Sequence, residues 1–135
     1  MTMQSCWSAT YVGPHHGTYI KKLERLAGFD VVALERERFI VNEEKIEHST
    51  FLVNHDSNCW QDLVIEILHT AQLIFPVWKV TICGNVLSGE VSRNMDRPNV
   101  EFQMRLSGHR SITWKVNKDQ CYTRMKWFGS QPDRW

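Results

Sequence analysis

The chain has 135 residues and a mass of 15.9 kDa, with 42% hydrophobic and 23% charged residues, a balance that fits one compact domain over 1–135 and excludes collagen, low-complexity and wholly disordered architectures. Sixteen Lys and Arg against fifteen Asp and Glu leave a formal net charge of +1, so the total charge points to no class of partner. No stretch approaches the roughly 18 uninterrupted apolar residues of a membrane span, and the first twenty residues lack the basic start and apolar run of an export signal; a cytoplasmic protein without membrane contact is the expectation.

In chain order, residues 18–28 place Tyr19, Ile20, Leu23, Leu26 and Ala27 on one side and end at Gly28, which reads as a short amphipathic helix. Residues 30–42 read as two short strands separated by a charged link from Glu35 to Arg38, and 49–54 as a further strand. The clearest helix spans about 58–74, where Trp60, Leu63, Val64, Ile67, Leu68, Ala71 and Ile74 recur at three and four residue steps. Asn58 and Gln61 have capping-box spacing at its start, with Asp56 or Ser57 as rival caps, and Pro76 closes it.

Beyond Pro76 the apolar period changes to two, the signature of strands. A Gly84-Asn85 hairpin sets Ile82 opposite Leu87, Val80 opposite Gly89 and Trp78 opposite Val91 on a buried face, with Lys79 across from Glu90 and Thr81 across from Ser88 on the other. Val100 to Leu106 and Ile112 to Val116 share a face if Gly108-His109-Arg110 forms the turn between them, and a loop at Lys118-Asp119 continues that face through Cys121, Thr123 and Met125. The expected fold is α+β: an antiparallel meander of four to five C-terminal strands covered on one face by the 58–74 helix, with the smaller 18–28 helix beside it.

Charge is segregated along the chain. Residues 1–75 carry net −4 and residues 76–135 net +5. Glu35, Glu37, Glu43, Glu44 and Glu47 form an acidic region suited to steering a basic protein partner, in the manner of an inhibitor or immunity protein covering a toxin nuclease. The alternative is a nucleic-acid platform on the outer face of the last strands, where Arg105, Lys115, Arg124 and Lys126 neutralise phosphates and Tyr122 stacks on a base. A third reading is a phosphodiester hydrolase. His48-Ser-Thr-Phe, His109-Arg-Ser-Ile and His16-Gly-Thr-Tyr all fit the permissive H-x-[ST]-apolar pattern of paired-histidine phosphoesterases, with His48 the best placed and His109 assigned to a turn.

Phosphate-loop, dinucleotide, nucleophile-elbow and zinc-protease motifs are absent from the sequence, so a non-enzymatic role without cofactor or metal is favoured. Cys6, Cys59, Cys83 and Cys121 stand singly, which fits a reducing compartment, with Cys59 and Cys121 on apolar faces. His15-His16 lacks a third ligand at suitable spacing. Of six tryptophans, Trp60, Trp78 and Trp114 have core positions and Trp127 follows on the same face, while Trp7 and Trp135 have no assigned burial and are potential partner anchors.

Overall fold

Residues 3–13, 19–28, 30–92 and 108–119 are described by the computed structural model of the chain. They form, in order, β1 (Met3–Val12), α1 (Tyr19–Ala27), β2 (Asp30–Val41), β3 (Glu44–His55), α2 (Trp60–Ile74), β4 (Lys79–Cys83), β5 (Val86–Ser92) and β6 (His109–Asn117). The fold is α+β and mostly sheet, as the change of period implied. Six described strands lie in the order β2-β3-β1-β6-β5-β4, every neighbouring pair antiparallel. No helix among the described residues is long and apolar enough to cross a membrane.

Of the six described strands, the chain beyond Pro76 supplies three. At the centre of the described sheet is β1, a segment unassigned from the sequence, although Trp7, Ala9 and Tyr11 alternate with Ser8 and Thr10 at the strand period. Residues paired across neighbouring strands share a face, so the registers draw whole rows across the sheet. One row runs Leu34, Phe51, Trp7, Trp114, Gly89, Val80. The row one residue along, on the opposite face, runs Glu35, Thr50, Ser8, Thr113, Glu90, Lys79. We refer to these as the Trp7 face and the Ser8 face.

A buried hydrophobic cluster joins the Trp7 face to both helices. Trp7, Phe51, Ile112, Trp114 and Val116 from the strands share it with Tyr19, Ile20 and Leu23 of α1 and Leu63, Ile67, Ala71 and Ile74 of α2. Each of the larger aliphatic and aromatic side chains among them contributes about 1.5–3 kcal/mol when fully withdrawn from water. The indole of Trp7 stacks on Phe51 at 6.3 Å, meets Trp78 edge-on at 6.2 Å and leans on Trp114 at 6.4 Å. Trp7 is therefore the middle of the core and not a spare surface anchor.

Local chemistry explains the helix ends. Gly28 adopts φ +67 and its amide donates to the Glu24 carbonyl, closing α1 as its position after the apolar stripe suggested. At the start of α2 the capping residue is Cys59, with no side-chain cap bond, so neither the Asn58–Gln61 box nor an Asp56 or Ser57 cap forms. The C-terminal carbonyls are capped instead from outside the helix: the Trp78 indole N–H donates to the Ala71 and Phe75 oxygens at 2.9 and 2.7 Å.

Several local expectations are corrected. β2 is one strand through Glu35–Arg38, because alternation carries the four charges to both faces without breaking the ladder to β3. The turn lies further on, at Asn42-Glu43, where φ values of 51 and 67 make a two-residue hairpin of the mirror type that matches strand twist. The β4–β5 register around Gly84-Asn85 is as derived, from Lys79 opposite Glu90 to Ile82 opposite Leu87. Its burial is not: β4 is exposed throughout, since it is the last strand of the described sheet. His109 opens β6 and is buried, not a turn residue. Cys59 is exposed rather than on an apolar face, as is Cys83, while Cys6 is buried. Lys118 and Asp119 form a turn as expected; the 100–106 strand, the Cys121–Met125 strand, Trp127 and Trp135 lie outside the described residues.

Candidate functional site

Among the described residues, one constellation has the look of a catalytic set. Ser5 Oγ lies 2.5 Å from His55 Nε2, and His55 Nδ1 lies 3.1 Å from Glu66 Oε1. Because Nδ1 faces a carboxylate it carries the proton, so Nε2 accepts from the Ser5 hydroxyl. Trp7 Nε1 donates to Ser5 Oγ at 2.8 Å, and the Ser57 hydroxyl donates to Glu66 Oε2. The order of groups is that of a serine hydrolase, but Ser5 has no exposed surface and an indole N–H occupies its oxygen. A substrate carbonyl cannot reach it. Burial pushes His55 below 6.5 against the opposing pull of Glu66. Burial alone would raise Glu66, yet the bonds from Ser57 and His55 outweigh it and hold its carboxyl low. The result is a neutral imidazole with both nitrogens satisfied, tying β1 and β3 to α2.

A second polar group lies on the Trp7 face nearer α1. Glu47 is wholly buried, with Arg36 Nε 3.2 Å and Arg38 Nε 3.7 Å from its Oε1. The Tyr19 hydroxyl bonds Ser49, the Tyr11 and Tyr19 rings stack at 4.6 Å, and His109 meets both edge-on at 5.1 and 5.4 Å. Breaking such a buried pair costs about 3–5 kcal/mol, which marks it as internal architecture. It also dismantles the acidic region read from the sequence. Glu47 is not on any surface; Glu35 and Glu37 are half-buried on the opposite, Ser8 face; Glu43 and Glu44 are exposed near the β2–β3 turn, where Glu44 pairs with Arg110 at 3.2 Å. Five neighbouring residues in sequence occupy three separate places because β2 and β3 alternate and the hairpin turns between them.

On the Ser8 face the hydroxyls of Ser8, Thr10, Thr50, Ser88, Ser111 and Thr113 are half-buried in neighbouring rows. Lys115 is exposed on this face as the outer-face register requires, whereas Arg105, Tyr122, Arg124 and Lys126 lie outside the described residues. Within the described part, this face also carries Lys79, Glu35, Glu37 and Glu90. His48 lies here too, its Nδ1 2.9 Å from Thr10 Oγ1, held below 6.5 by burial despite Glu37. His109 pairs across β1 with the next residue, Tyr11, and packs on tyrosines of the Trp7 face. The two histidines therefore do not flank one cleft, and His16 lies outside the described residues. Burial also drives the Cys6 thiol up to about 12, far from a reactive thiolate.

The remaining feature is the rim of the described sheet at β4. Among the described residues no strand pairs with its outer side. Val80 is 45% exposed and Ile82 75% exposed, and their registers place both on the Trp7 face. Beside them a groove of about 270 Å³ is lined by Trp60 and Val64 of α2, Ile82 of β4, Leu87 of β5 and Lys118 after β6, with the Gly84–Val86 turn at one end. Val77, 59% exposed, extends the apolar surface. Sequence periodicity identified these apolar residues correctly and could not show that they are uncovered, because strand order decides that. The one available hint was brevity: Pro76 and Gly84 leave seven residues between them, with a single charge, and five of these form the strand.

Compared with known proteins, the chain matches no family model, no curated protein and no solved structure.

Proposed function

We propose that the chain is a non-enzymatic protein-binding module that holds an extended segment of a partner along β4, with α2 lying over the Trp7 face as the other wall of the binding groove. Strand addition of this kind takes affinity from main-chain hydrogen bonds and specificity from pockets that receive alternate side chains. The carrying observation is Ile82: a large apolar side chain, 75% exposed, on the last strand of the described sheet and in the lining of an apolar groove. Soluble proteins blunt such edges with charge, proline or a bulge. β4 has Lys79 at its first position and no bulge in its pairing with β5. The acidic surface expected from the sequence gives way to this rim, since its members are dispersed and Glu47 is inside.

The test is affinity capture from the native cell with three baits: the parent chain, an Ile82→Lys variant and a Glu43→Lys/Glu44→Lys variant. Loss of identified partners with the first substitution and retention with the second pair is the expected result. Partners that survive Ile82→Lys and disappear with the glutamate substitutions would return the binding surface to the acidic turn and refute the edge.

A further inference from the structure

The chemistry of the groove specifies the segment it takes. Resting on the β4 reading, we infer that the occupant is an extended stretch of another protein with apolar side chains at alternate positions and an Asp or Glu at the end nearest the β4–β5 turn.

Three observations carry this. First, a strand laid against β4 directs every second side chain to the Trp7 face, where Val80, Ile82, Trp60 and Val64 offer only apolar surface. A volume of about 270 Å³ accommodates one or two large apolar side chains. Second, Lys118 is the single charged residue in the groove lining. Its backbone is fixed by the bond from its amide to the Asn85 carbonyl at 2.8 Å, and among the described residues its exposed ammonium has no ion-pair partner. The neighbouring Asp119 is engaged by the Asn85 side-chain amide. A carboxylate on the incoming segment therefore meets an available cation at the turn end of the groove. Third, a second copy of this chain is a poorer match: its β4 has the sequence Lys-Val-Thr-Ile-Cys, so pairing two β4 edges adds one more lysine and no carboxylate from the strand itself.

The experiment is selection of a random peptide library displayed on phage against the intact parent chain, followed by fluorescence anisotropy of one enriched peptide. Enrichment of peptides with apolar residues two apart and a terminal Asp or Glu is expected. Ile82→Lys, and separately Val80→Lys, should weaken binding at least about tenfold. Lys118→Glu should weaken it about fivefold, and selection against that variant should replace the acid by Lys or Arg. Enriched peptides that are apolar but not acidic would overturn the inference and leave the β4 reading standing, provided Ile82→Lys still abolishes binding. Peptides indifferent to Ile82→Lys and Val80→Lys would overturn both. No enrichment, or a concentration-dependent dimer in sedimentation velocity that Ile82→Lys dissolves, would also overturn the inference, the latter identifying a second copy as the occupant.

Discussion

Replacing Gly89 by alanine sets two opposing effects against each other, and the structure decides the sign. In most strand positions the change gains about 0.5–1 kcal/mol, because glycine loses more freedom on folding. Gly89 lies opposite Trp114, whose indole covers it: an added Cβ would stand 2.3 Å from Cε2, 2.4 Å from Nε1 and 2.5 Å from Cζ2. Restoring ordinary contact of at least 3.4 Å requires the ring to retreat by roughly 1 Å. It has nowhere to go. Trp114 is 1% exposed and leans on Trp7, itself fully buried against Phe51. Overpacking of this kind costs about 1–3 kcal/mol, and a rigid bicyclic neighbour places this site at about 3 kcal/mol. With a urea slope of about 2 kcal/mol/M for a domain of this size, the midpoint followed by tryptophan fluorescence should fall by about 1.5 M at unchanged slope. The same substitution made in a Trp114→Leu background should cost less than about 1 kcal/mol, a coupling of about 2 kcal/mol. Equal costs in the two backgrounds, or any stabilisation by Gly89→Ala alone, would refute the proposed ring-over-glycine packing.

Two further outcomes follow from the turn and the buried histidines. Glu43→Gly should raise stability by about 0.5–1 kcal/mol in urea melts, because a side chain held at φ 67 is relieved and Asn-Gly is the preferred pair for this turn; a loss would show that the turn is not formed in solution. Stability should fall as pH drops below 6.5, since His55 and His48 are both held below that value by burial and the unfolded chain takes up protons that the folded chain does not. The contribution is whole above that range, and each histidine removes at most about 1.4 kcal/mol per pH unit as acid is added. Glu66 adds to the loss only below 4.5. Urea midpoints between pH 7.5 and 5 should show a shallower decline in His55→Gln and in His48→Gln, and slopes unaltered in both would contradict the burial argument.

The parts of the fold legible in the sequence were those governed by local periodicity. The stripe from Leu63 to Ile74, the left-handed Gly28 and the register from Lys79–Glu90 to Ile82–Leu87 each depend on residues a few positions apart. What stayed hidden depends on partners distant in sequence. β1 pairs with residues about 50 and 100 positions away, so its central place cannot be inferred from its own ten residues. Glu47 looks like a solvated charge until Arg36 and Arg38 are brought beside it by the ladder between β2 and β3. Ser5, His55 and Glu66 come from three elements, and no spacing announces their alignment. The candidate site was half legible for the same reason: Val80 and Ile82 were read onto the correct face, but their exposure follows from the order of the whole sheet.

The two end strands of the described sheet are not alike, and this bears on what can be built from the molecule. β2 alternates Glu35, Arg36, Glu37 and Arg38 along its middle, with exposed Val32, Leu34, Ile40 and Val41 to either side, whereas β4 has only Lys79. A filament made by joining sheets end to end needs two receptive rims per subunit. A β4 edge arriving at β2 brings a single lysine to four alternating charges, a mismatch that disfavours growth by repeated β4-to-β2 pairing.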